Sequence, residues 1–191
     1  MHSSNILTQR IVVYSFVLLL LSACGIPDTQ KTTKPNLYFD IEDFLLNEAQ
    51  ELSQKPIQLL KTVRIQDDVS TFLDSNPNWD REFEAIRKLN INKAGLKGEY
   101  EVDTIRNANQ TFIFFENHQN NQPVKSVKVI LNNANLVDII EIIASDKTFF
   151  KEETFLYSYQ KNKAFNIVGS RKSFFSDAKE FEIYGELISA N

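Results

Sequence analysis

The nine residues "LVDIIEIIA" at 136–144 decide the fold of this chain. Leu136, Val137 and four isoleucines suit a buried helix as well as a buried strand, and periodicity does not separate the two in so short a run. The flanks do. "NNAN" (132–135) and "SDK" (145–147) are clusters of turn-forming residues. The stretch between them has the length of a strand. Val and Ile also fit a pleated surface better than a helix, where their branched Cβ restricts χ1. A strand is therefore predicted at 136–145.

Outward from that strand the same pattern repeats. From Gly98 on, "GEYEVDTIRN", "QTFIFFEN", "VKSVKVILN", "TFFKEETFLYSYQ", "AFNIVGSRKS" and "KEFEIYGELIS" alternate with a period of two. The turn clusters between them are "HQNNQP", "NNAN", "SDK", "KNK" and "FFSDA". Short turns join antiparallel neighbours, so about seven strands in a meander are predicted. Aromatics recur along them at Phe112, Phe114, Tyr157, Phe165 and Tyr184.

Before Gly98 the period is helical. In 40–54, Ile41, Leu45, Ala49 and Leu52 share a face, Phe44 lies beside them, and Asp40 caps the start. Glu42 and Asp43 suit the positive first turn, Pro56 stops the helix, and Glu42, Asp43, Glu48 and Glu51 are assigned to its solvated face. Residues 57–66 alternate and predict a hairpin turning at Asp67-Asp68 and returning over 69–74. "SNPNWDREFEAIRKLNINKAG" predicts a second helix capped by Asn76, with Pro77 at its first position and Gly95 at its end. Trp79, Phe83 and Ile86 form its apolar stripe, so Trp79 is assigned to the core rather than to sugar stacking. The fold class expected is α+β: two N-terminal helices with a hairpin between them, packed on the C-terminal meander.

The first residues point to a location. Arg10 precedes "IVVYSFVLLLLSA" (11–23), which is shorter than the roughly 20 apolar residues a spanning helix needs. The chain's only cysteine, Cys24, follows at once. Leu21-Ser22-Ala23-Cys24 resembles the lipobox of bacterial lipoprotein precursors. That resemblance implies cleavage between Ala23 and Cys24, lipid on the Cys24 thiol, and the lipoprotein-processing enzymes as partners. Two or more acyl chains anchor stably where one is marginal. Residues 25–36, "GIPDTQKTTKPN", hold little that is apolar and are read as a tether. The organisation expected is a signal peptide at 1–23, lipidated Cys24 and tether at 24–36, and one domain at 37–191. Gly25 follows Cys24 and no acidic run does, which favours the periplasmic face of the outer membrane.

The order of elements, with Asn78-Trp79, Ile91-Asn92-Lys93, Gly98, Tyr100 and Val102 to Ile105, also resembles a group of uncharacterised lipoproteins of the Bacteroidota. Asp67-Asp68 and Asn92-Lys93-Ala94 depart from the Asn-Gly and Asn-Lys-Pro usual there. The resemblance implies no activity.

Composition narrows the chemistry. The net charge is −4, and Arg10 is the only charged residue before Cys24, so loss of 1–23 leaves the chain more acidic still. That opposes nucleic-acid binding. Cleavage leaves one histidine, His118, and five glycines stand in the whole chain, too few and too scattered for a phosphate loop. Neither catalytic, metal nor cofactor residues are assigned. Glu116, Glu141, Glu152 and Glu153 are the carboxylates a two-acid glycan enzyme would draw on. The reading is a lipid-anchored, non-catalytic binding or scaffold module of unknown ligand. Its alternatives are a lipid or lipoprotein carrier with an apolar groove, for which fifteen phenylalanines offer lining, and the two-carboxylate enzyme.

Overall fold

The computed structural model describes residues 37–119 and 121–189. The predicted signal peptide, the cleavage site at Ala23 and Cys24, and the predicted tether lie outside them. The described chain is α+β. Helix α1 (Ile41–Ser53) leads into strands β1 (Ile57–Ile65) and β2 (Asp68–Asp74), then helix α2 (Trp79–Arg87) and a short 3₁₀ turn (Ala94–Leu96). Seven strands follow: β3 (Glu101–Arg106), β4 (Thr111–Glu116), β5 (Val124–Leu131), β6 (Val137–Lys147), β7 (Lys151–Gln160), β8 (Ala164–Ser173) and β9 (Ser176–Ser189). "LVDIIEIIA" is thus strand, within β6.

All pairings are antiparallel, and the order β2-β1-β9-β8-β7-β6-β5-β4-β3 makes one nine-stranded sheet. The meander contributes the seven strands β3 to β9, and the sheet counts nine rather than about seven because the N-terminal hairpin does not pack on the meander. It extends it, β1 lying along β9 from Ile57 opposite Ser189 to Ile65 opposite Phe181.

Alternation gives the sheet two faces. Leu59, Val127, Val129, Ile140, Ile142, Tyr159, Phe165 and Ile167 point to one and are buried. The helices cover that face. In α1, Ile41, Leu45, Ala49 and Leu52 are buried, the Asp40 carboxylate accepts from the Asp43 N–H at 3.1 Å, and the helix ends before Pro56. In α2, Trp79, Phe83 and Ile86 are buried. The Phe83 ring meets Tyr159 edge-on at 5.1 Å and Phe165 at 6.1 Å, pinning α2 to β7 and β8. Full burial of one such side chain contributes roughly 1.5–3 kcal/mol.

Several boundaries differ from those predicted. The cap of α2 is Asn78, not Asn76: its side chain accepts from the Arg81 N–H at 3.1 Å, while Asn76 is held by Asp74. Pro77 therefore precedes the helix. The helix ends at Arg87 rather than near Gly95, because the Asn90 and Asn92 side chains take up backbone groups elsewhere. Asn90 Oδ1 accepts from the Ile41 N–H, Asn92 Oδ1 accepts from Leu37 and Tyr38, and both amides donate to Asp40 at 2.9 Å. This network ties the start of α1 to the segment after α2.

The first hairpin turns at Gln66-Asp67, one residue early, with Gln66 at φ 54° and Ile65 paired with Asp68. The β6–β7 hairpin turns at 148–150 instead of "SDK", since β6 runs on to Lys147. Phe149 and Phe150, predicted inside a strand, sit at its tip.

Candidate functional site

The second sheet face carries neither helix. Register places Asp103, Phe114, Lys128, Glu141, Ser158, Asn166, Tyr184, Thr62 and Thr71 in one row across it. Polar groups in that row pair with their neighbours: Lys128 Nζ donates to Glu141 at 3.0 Å, and the Thr62 and Thr71 hydroxyls meet at 3.0 Å. The Asn166 amide donates to Glu182 at 3.4 Å, while its buried Oδ1 has no partner. The adjacent row holds Ile143, Leu156 and Val168 side by side on β6, β7 and β8, all exposed. The recurring aromatics do not share a face: Tyr157 and Phe165 are under the helices, Phe112, Phe114 and Tyr184 on the bare side.

At the β3 edge this face dips into a shallow depression lined by Glu101, Asp103, Phe114, Glu116 and His118. Glu101 and Glu116 stand directly opposite each other, where like charges repel. His118, in the turn after β4, lies between them, its Nε2 3.4 Å from Glu101 and 3.6 Å from Glu116. All three side chains are at least half exposed. Water screens such a group, so it offers polar contacts and proton exchange without the dry environment that sharpens acid–base catalysis. The sequence singles out His118 and Glu116 but gives no sign that β3 brings Glu101 to them.

The other acids named from sequence are each next to a cation. Glu141 meets Lys128, and Glu152 meets Lys147 at 3.0 Å. Glu153, largely buried, is held by Lys151 at 2.8 Å and by Arg171. The Lys151 hydrogen bond keeps the Glu153 carboxyl below its ordinary range, against the effect of burial. Among the described residues no group of three or more His, Cys, Asp or Glu is arranged to hold a metal ion.

Glu48 corrects the reading of α1. It belongs not to the solvated face but to the interior, 2 % exposed. Tyr159 Oη donates to it at 2.7 Å and Lys161 pairs with it from the β7–β8 turn. Burial, then the Glu48 hydrogen bond, pushes the Tyr159 phenol far above its usual value. For Lys161 burial is the largest effect and works the other way, but the hydrogen bond and charge of Glu48 together with those of Glu51 outweigh it, so its ammonium is held above the usual range. Trp79, 2 % exposed, is core as predicted. No helix among the described residues is long and apolar enough to cross a membrane. Compared with models of known families, with curated proteins and with solved structures, this chain matches none.

Proposed function

We propose that this chain is a lipid-anchored, non-catalytic binding or scaffold protein of the cell envelope. Lipid on Cys24 holds it to the membrane, on the periplasmic side of an outer membrane, after lipoprotein-processing enzymes remove residues 1–23. The observation that carries the binding reading is the bare sheet face. Two helices cover the middle of one side, while the other displays the exposed Ile143, Leu156 and Val168 beside a row of mostly polar side chains, a mixed apolar and polar composition that suits a contact surface. The carrier alternative draws less support. The space between helices and sheet is filled by Trp79, Phe83, Ile86, Tyr159 and Phe165 rather than left as a chamber. The two-carboxylate alternative would use Glu101 and Glu116, which lie on an open edge with a histidine between them.

Labelled palmitate fed to producing cells tests the anchor. The wild-type chain takes up label and fractionates with the outer membrane. Cys24→Ala leaves the precursor uncleaved and unlabelled. Label entering Cys24→Ala would overturn the lipid-anchor reading.

A further inference from the structure

Four phenylalanines lie exposed at the tips of two adjacent hairpins, Phe149 and Phe150 between β6 and β7, Phe174 and Phe175 between β8 and β9. Phe175 is 88 % exposed and Phe149 79 %. The rings pack on one another rather than on the core: Phe149 stacks on Phe174 at 5.8 Å, and each meets its chain neighbour edge-on at 5.0–5.1 Å. The Phe174 N–H donates to the Phe150 carbonyl at 2.9 Å, so the two tips form one unit. The result is an aromatic knob: single exposed apolar residues need no explanation, but four contiguous exposed rings are the kind of patch that marks an interaction site.

We propose that this knob inserts into the surface of a lipid bilayer. Three observations favour lipid over a protein partner. The rings project from two hairpin tips, and the depression beside them, about 180 Å³, is small for a ligand-sized groove, whereas lipid deforms around a protrusion, and aromatic rings favour the headgroup–acyl boundary. Behind it stands a collar of Lys147, Lys151, Arg171 and Lys172, whose long stems let the charge reach headgroups while the rings go deeper. The acids Asp146, Glu152 and Glu153 pair with three of these cations, so the collar carries little net charge. Apolar contact, not attraction to anionic lipid, is then the driving term.

The third observation is where the chain enters the domain. The Tyr38 hydroxyl accepts from the Gly98 and Tyr100 N–H groups just ahead of β3, so Leu37 lies at the end of the sheet where β3 begins. Glu101, the first residue of β3, is in the row of Ile143 on β6, and β6 continues beyond that row, in the same direction, to the knob. The segment from Gly25 to Asn36 reaches at most about 40 Å when extended. Lipid on Cys24 and the knob can therefore meet one bilayer. The proposal draws this proximity from the lipid-anchor reading but is tested apart from it.

The test uses the full chain carrying Phe175→Trp, reconstituted in phosphatidylcholine vesicles with bromine on the upper part of the acyl chains. Native Trp79 is buried and serves as the unquenched internal standard. Bromine should quench the indole at position 175, equally in zwitterionic and anionic vesicles and at low and high salt. Adding Phe149→Ser, Phe150→Ser and Phe174→Ser should abolish the quenching and leave the Trp79 emission unchanged. A chain that floats with the vesicles while position 175 stays unquenched overturns the knob and leaves the lipid anchor standing. A blue shift at position 175 without quenching means burial against protein, a second copy or a partner, and overturns it too. Quenching at position 175 in a chain that takes up no palmitate would sustain the knob and remove the anchor.

Discussion

Glu48 shows how far a single residue can be read from sequence. The spacing Ile41, Leu45, Glu48, Leu52 places it on the apolar stripe of α1, yet its charge argues for solvent, and charge was the wrong guide. The reason is non-local. Its partners Tyr159 and Lys161 lie more than a hundred residues away, on a strand and a turn whose approach no local pattern reveals. Trp79 was legible because its burial follows from helical spacing with Phe83 and Ile86 alone. A buried carboxylate with two partners is costly to disturb, since removal strands what remains. Glu48→Ala should lower stability by about 2–3 kcal/mol, the scale of a hydrogen bond to a charged group in a buried site. Tyr159→Phe should cost a similar amount, and the double variant less than the two together, because both remove one interaction. Urea midpoints at neutral pH measure all three, and full additivity would show that the two side chains do not interact.

At the scale of elements, pattern and turn chemistry identify both helices and the strands of the meander, including "LVDIIEIIA" as part of β6. What they miss is which strands pair across long separations. The N-terminal hairpin has its own alternation and turn, but its place beside β9 depends on contacts between residues over a hundred positions apart. Turn positions slipped where a residue type misled. Phe149 and Phe150 favour strands, so "TFFKEE" reads as strand although the chain turns there. The bare sheet face, the depression at Glu101 and the aromatic knob were illegible for the same reason: each needs the register of neighbouring strands. The first helix belongs to the core on both readings. A chain beginning at Glu48 loses the buried Ile41 and Leu45 and strips Asp40 from Asn90 and Asn92. Each large buried aliphatic is worth about 2–5 kcal/mol, against a total margin of roughly 5–15 kcal/mol. Such a chain should show no cooperative urea transition, whereas one beginning at Asn36 should unfold with the midpoint and slope of one beginning at Gly25. Equal transitions in all three would place α1 outside the core.

For the whole molecule, protonation divides stability into an acid and an alkaline limb carried by different groups. Glu153 anchors the acid limb. Lys151 holds its carboxyl below the ordinary value of 4.5, so its contribution is present above that value and is lost as pH falls through the depressed one. The alkaline limb lies under the helices. Burial is the first cause that raises the phenols of Tyr100, Tyr157 and Tyr159, the first of them to about 12. Against burial, Lys161 is raised as well, by Glu48 together with Glu51. For a group raised on folding, the contribution is complete below its unfolded value and disappears as pH climbs through its folded one, here starting near the ordinary phenol value of 10.0. Urea midpoints measured against pH should therefore form a plateau that falls off below about 4.5 and above about 10. The ionisation of Tyr100, Tyr157 and Tyr159, isolated by difference from their Tyr→Phe variants, should appear only as the circular dichroism of the sheet is lost. Glu48→Ala removes the group that does most to raise Lys161 and adds to the shift of Tyr159, so it should flatten the alkaline limb and leave the acid one in place. If the alkaline limb is unchanged in Glu48→Ala, the contact between α1 and the β7–β8 turn does not govern stability at high pH.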